Sequence, residues 1–147
     1  MTASERAIDL LPHRPPMRLV EEVVDLVPGQ SAHGRRVAHP DDWYFQGHFP
    51  GDPVVPAIVL VEFLAQTGGL AAVIADRPEA ARRLRVAAFG PFRFRSAARP
   101  HQVLDAIARV VGRMGSIVKI EGEVLADGQS VAVGSVTLAA VTPLDEL

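Results

Sequence analysis

The sequence predicts an α+β domain in which an antiparallel sheet wraps around one long helix. Two observations carry most of the weight. Residues 57–75 form an apolar segment of helical length with almost no polar face, and a helix apolar on nearly all sides has to be surrounded by protein. After it the chain becomes a run of strand-like segments, and strands grouped around one helix pack as a sheet against it rather than as alternating βαβ units. The third observation is size. The chain has 147 residues, 48% apolar and 22% charged, so residues 1–147 read as a single domain with one core.

The elements follow in order. Residues 5–12 read as a short amphipathic helix ended by Pro12. "MRLVEEVVDLVPGQ" is a β-branched run closed by Pro28-Gly29, and "SAHGRRVAHP" is a weaker strand. A loop rich in Gly and Pro, "FQGHFPGDPVVP", leads into the long helix with Pro56 near its first turn, and Asp76-Arg77-Pro78 is the stop signal. "LRVAAFGPFRFRSAA" alternates at Phe92-Arg93-Phe94-Arg95 as a half-buried strand does. "QVLDAIARVVGRM" also has helical spacing, but its Val and Ile content and its neighbours favour a strand. "SIVKIEGEVLADG" and "QSVAVGSVTLAAV" are joined by Asp127-Gly128 as a hairpin turn.

Several classes are excluded. The formal net charge of −2 gives no field that would attract nucleic acid. There are no cysteines, which removes disulfides, thiolate metal sites and cysteine nucleophiles and suits a reducing cytoplasm. The N-terminus lacks the apolar core of a signal peptide. Residues 57–75 are long enough to span a bilayer, yet Glu62, Gln66 and Gly68-Gly69 interrupt them and no basic cluster flanks them. The expectation is a cytoplasmic protein without a membrane span.

His48 and Glu62 are the candidates for chemistry. Gly47 and Gly51 allow close backbone approach beside His48, while Pro50 and Pro53 stiffen the loop; a stiff loop is what positions a catalytic base. Glu62 is the lone charge in an apolar helix, and only Gln66, one turn on, shares its face. A carboxyl buried there tends to stay protonated, as a general acid requires. The plainer alternative is that Glu62 lines a small opening and hydrogen-bonds Gln66. His33, His39 and His101 read as solvated, and His13 reads foremost as a structural residue whose backbone hydrogen bonds pin the N-terminal segment. No HExxH or HxxEH spacing supports a metal, no GxSxG a serine hydrolase, and no GxGxxG or P-loop a nucleotide.

"LPHRPPMRLVEEV", "FQGHFPGDPVVP", "VEFLAQTGG" and "FRFRSAARP" resemble, in this order and spacing, the β-hydroxyacyl-[acyl-carrier-protein] dehydratases of type II fatty acid synthesis, the FabZ group. The resemblance runs from about Leu11 to Val141. It implies a hot-dog fold, a homodimer or trimer of dimers, and dehydration of a 3-hydroxyacyl thioester to the trans-2-enoyl thioester without a cofactor beyond the carrier's phosphopantetheine. It implies that His48 takes the proton next to the thioester carbonyl, that Glu62 of the other subunit helps the β-hydroxyl leave as water, and that Gln66 orients Glu62. Backbone N–H groups at the start of the long helix, around Gly47 and Ala57, are the natural donors for the developing enolate oxygen. Arg93, Arg95 and Arg99, with Arg82, Arg83 and Arg85 nearby, are candidates for docking an acidic carrier protein.

Departures from the family pattern stand at Pro15, Met17, Arg18, Asp52 and His101, and at Ala57, where a glycine is common. If position 57 needs positive φ, alanine is strained there. A hot-dog thioesterase and a non-catalytic acyl-carrier binding subunit are the competing readings.

Overall fold

A computed structural model describes residues 2–141. It contains helices α1 (Ala3–Ile8) and α2 (Ala57–Ala71) and strands β1 (Glu22–Val27), β2 (Ser31–Val37), β3 (Leu84–Phe94), β4 (Val103–Met114), β5 (Ile117–Ala126) and β6 (Gln129–Ala140). The strands make one antiparallel sheet in the order β1-β2-β4-β5-β6-β3, and α2 packs against β2, β4, β5 and β6. The ambiguous segment after Gln102 is the strand β4, paired on both sides.

Alternation decides which side of each strand meets the helix. Leu104, Ala106 and Ala108 of β4 and Val118, Ile120 and Val124 of β5 are buried together with Phe63, Leu64 and Leu70 of α2. Small residues bring helix and sheet close. A Cβ on Gly34 would stand 2.6 Å from Thr67 Oγ1, and one on Gly122 2.6 Å from Leu64 Cδ1. Asp127 (φ 48°) and Gly128 (φ 82°) both take the left-handed conformation that a type I′ hairpin demands.

Three boundaries differ from the sequence expectation. The first helix is Ala3–Ile8, because Thr2 and Glu5 form a reciprocal capping box. The strand expected over 17–30 is confined to Glu22–Val27, and the residues before it serve the helix, as described below. α2 ends at Ala71, well before Asp76, with the Val73 amide bonding Leu70 O to tighten the last turn. Leu70 to Val73 stay buried, so hydropathy carries on past the point where the helix stops. Among the described residues, no helix is long and apolar enough to cross a membrane.

Candidate active site

His48 sits in a loop stitched at every step. Its amide bonds Phe45 O at 3.1 Å, its carbonyl accepts from Val54 N–H at 3.0 Å, and Phe49 and Asp52 exchange backbone bonds at 2.9 Å. Val55 N–H ties the loop to Ala98 O at 2.8 Å, and Arg99 bonds Asp52 Oδ1 at 2.7 Å. Gly47 (φ 79°) and Gly51 (φ 73°) are positive, and nothing lies within 4 Å of a Cβ placed on either; conformation, rather than crowding within the chain, requires glycine there. The imidazole stacks on Phe49 with ring centroids 4.0 Å apart.

His48 Nδ1 is 3.0 Å from Val54 O. A carbonyl only accepts, so Nδ1 carries the hydrogen and Nε2 of the neutral ring keeps its lone pair. That is the tautomer of a base. The surrounding recess is lined by Trp43, Tyr44, Gly47, Ala57 and Ile58. Pro56 caps α2 without a side-chain hydrogen bond, and the first amides of a helix have no partner within it, so the Ala57 and Ile58 N–H groups beside the histidine have no partner among the described residues. Ala57 is the first helical residue and does not have positive φ. The strain anticipated for alanine is absent.

Behind the loop, Asp42 gathers a cluster that the sequence did not reveal. Its Oδ2 accepts from Arg36 Nη2 at 2.7 Å, from the Tyr44 hydroxyl at 2.6 Å and from His39 N–H at 3.0 Å. Arg36 is only 6% exposed and also donates to Leu19 O at 2.8 Å. Burial, with the hydrogen bond to Asp42, pushes the Tyr44 hydroxyl well above its ordinary range, so it is a fixed donor at neutral pH. The local signal was the spacing of one arginine in a strand and one aspartate before an aromatic triplet, which has no distinctive pattern.

Glu62 lies on α2 in a separate hollow of about 330 Å³, lined by Leu11, His13, Gln66, Arg85 and apolar neighbours. Its side chain is 29% exposed, half-buried rather than sealed. Gln66 is buried and holds the N-terminal segment to the helix: its Oε1 accepts from Leu19 N–H at 2.8 Å, and its Nε2 donates to Met17 O at 2.8 Å and to Glu62 Oε1 at 3.3 Å. His13 was expected to do this pinning. Its ring makes no hydrogen bond to backbone among the described residues; Nε2 instead lies 3.6 Å from Glu62 Oε1.

Within one chain His48 and Glu62 do not meet. They line different recesses with no residue in common. The three arginines do not act alike. Arg93 and Arg95, two residues apart in extended chain, share a face, with Arg93 lining a hollow on the sheet beside Arg109 and Lys119 and Arg95 exposed, whereas Arg99 is bound to Asp52. Arg82 reaches Asp9 O, and Arg85 caps Arg82 O and Leu84 O. His33 corrects the solvated reading: it is half-buried, with Nε2 2.6 Å from Asp105 Oδ1, which Arg35 Nε also reaches at 2.8 Å. His39 is exposed and contacts Glu21 at 2.9 Å. His101 takes φ 73° in a turn, a left-handed conformation that favours glycine.

An antiparallel sheet wrapped around a helix, with a histidine loop feeding the helix N-terminus, defines the hot-dog class. Residues 11–135 match the family model of the FabA-like domain, and the chain belongs to that family. It is 40% identical over 105 residues to the 3-hydroxyacyl-[acyl-carrier-protein] dehydratase FabZ of Chloroflexus aggregans, covering 71% of this chain and 72% of the relative. The FabZ of Nitratidesulfovibrio vulgaris is 34% identical over 141 residues, covering 95% and 91%. Among solved structures, a chain of the dehydratase heterocomplex ApeI:P from Xenorhabdus doucetiae superposes with a TM-score of 0.75 at 20% identity, over 92% of this chain and 91% of that one.

Proposed function

We propose that the chain removes water from 3-hydroxyacyl thioesters carried on acyl carrier protein to give trans-2-enoyl thioesters, in a site shared by two copies. The observation that carries the reading is the His48 tautomer, with Nδ1–H on Val54 O and Nε2 free beside the uncapped start of α2. Nε2 takes the proton from the carbon next to the thioester carbonyl. Amide N–H groups around Gly47 and Ala57 receive the enolate charge, helped by the helix dipole. Glu62 of the partner subunit gives its proton to the β-hydroxyl, which leaves as water while the double bond forms. The electron pair of the broken C–H bond becomes the double bond as the C–O bond breaks, and the proton left on His48 returns to Glu62 through solvent before the next turnover.

Two copies are supported by the surface of one. β3 lies at the sheet edge and exposes Val86, Phe89 and Phe94, which suits antiparallel pairing with the same strand of a second copy. Around His48, Trp43, Phe49 and Ile58 are also exposed, Ile58 at 76%. Apolar exposure of this extent marks a surface meant to be covered. In such a pair Glu62 of the partner subunit completes the His48 recess, which one chain leaves without an acid. The homodimer, alone or as a trimer of dimers, is therefore the working unit. The acidic carrier is expected to engage Arg93 and Arg95; Arg99 is spent on bracing the His48 loop.

The test is spectrophotometric. Purified protein is mixed with a 3-hydroxyacyl or an enoyl thioester of the carrier, and enoyl absorbance and free thiol are followed together. Interconversion of the two thioesters without thiol release is the expected result. Thiol release would convert the reading to a thioesterase, and saturable binding without turnover to a carrier-binding subunit.

A further inference from the structure

We propose that His13 is a positioning residue for the acid: its imidazole Nε2 and the Gln66 amide both address Glu62 Oε1, so that Oε2 is the oxygen left to carry the proton to the leaving hydroxyl. This rests on the reading of Glu62 as the acid, and adds to it the atom used and the group that holds it.

Geometry comes first. Gln66 Nε2 stands 3.3 Å and His13 Nε2 3.6 Å from the same carboxyl oxygen. A donor favours the carbonyl oxygen of a protonated carboxyl, which assigns the hydroxyl to the other oxygen. The His13 distance is longer than a hydrogen bond, but such contacts are often long in free enzymes and tighten when substrate fills the site.

The fold gives His13 no other work. Segment 11–19 is pinned by Gln66 and shaped by Arg14, whose Nη1 donates to Leu11 O and His13 O and whose carbonyl accepts from Met17 and Arg18 amides. His13 Nδ1 is buried without a partner among the described residues. An unpaired buried polar atom destabilises, so a residue serving only to pack would do better without one.

The electrostatic setting suits a neutral ring. The charged groups facing His13 are Glu62 from α2 and Arg85 from β3, with Arg14 adjacent in the chain and turned onto backbone oxygens. Burial holds the imidazole below its ordinary range; Glu62 opposes this and Arg85 reinforces it. A cationic histidine here would hold Glu62 deprotonated and disable it as an acid. A neutral one gives an N–H and stabilises the carboxylate formed as water departs, without fixing a buried ion pair in advance.

The experiment uses the full chain and carrier-linked substrate. His13→Ala is expected to lower kcat about tenfold, the worth of one hydrogen bond to a charged group, with KM little changed. His13→Gln, which keeps an N–H at similar reach, is expected to recover part of the loss. In a Glu62→Gln background, His13→Ala should reduce the residual rate no further. By NMR, the imidazole nitrogen shifts of His13 should report the Nε2–H tautomer, because Nε2 has to donate to Glu62 Oε1. Equal losses in both backgrounds, a change confined to KM, or an Nδ1–H tautomer would overturn the proposal. If His13→Ala does not fold, the Gln variant and the tautomer decide. A Glu62→Gln enzyme with full activity would remove the acid reading itself, whereas an inactive Glu62→Gln with a fully active His13→Ala would remove this inference alone.

Discussion

Replacing Gln66 with leucine tests the joint between the N-terminal segment and α2. Three hydrogen bonds disappear. Leu19 is 2% exposed, so its N–H is left buried and unpaired, which costs about 1–3 kcal/mol. Met17 is 48% exposed, and its carbonyl can take water instead at little cost. Leucine nearly fills the volume, so a large cavity term is not added. The sum is about 2 kcal/mol, which for a domain of this size lowers Tm by roughly 4–8 °C. The melt is run at fixed protein concentration, because association makes Tm concentration-dependent. Gln66→Glu sharpens the result: it keeps the acceptor for Leu19 but turns the donor into a second acceptor beside Glu62, and protonation restores a donor, so its deficit should shrink as pH falls. A Gln66→Leu melt within about 1 °C of wild type, a shift typical of inert surface changes, would refute the account of this joint.

Other outcomes are equally specific. His48→Ala is expected to lose at least about a hundredfold in rate while still melting cooperatively as a folded protein; retained activity would remove His48 from the base role. Asp42→Ala strands the Arg36 guanidinium in the interior and should destabilise by about 3 kcal/mol in urea titration, with the His48 loop loosened and activity reduced. Asp105 gives a pH signature. Burial pushes its carboxyl up, but hydrogen bonds from Arg35 and His33 prevail and hold it below its ordinary value. Its contribution is present above about pH 4 and is lost as pH falls through the lowered value. Asp105→Asn should flatten that part of the acid-unfolding curve, and an unchanged curve would count against the pairing.

Much of the fold was legible because its signals are local. The positive-φ turn at Asp127-Gly128 and the all-round apolar α2 each follow from backbone or burial rules acting over a few residues; the pattern at Phe92–Arg95 marked β3 as a strand but not its burial, since Phe94 is 48% exposed. The end of α2 was not legible, since Leu70 to Val73 remain core after the helix has stopped. In the site, the loop at His48 and the lone carboxylate at Glu62 stood out by residue type and spacing. What sequence reasoning missed depends on long-range contacts: Asp42 with Arg36, the reach of Gln66 to Leu19, and His13 beside Glu62. Each joins segments that no periodicity connects; Gln66 stood out in its apolar helix, but nothing local pointed to its partners.

The direct test of the shared site is subunit mixing. His48→Ala and Glu62→Ala chains, each inactive alone, are co-expressed in equal amounts and assayed with a carrier-linked 3-hydroxyacyl thioester. Random pairing makes half of the dimers mixed, and each mixed dimer has one site with both groups intact and one with neither. About a quarter of wild-type activity is therefore expected. Activity no higher than that of the separate variants, in samples where mixed dimers are demonstrated, would contradict a site built from His48 of one chain and Glu62 of the other.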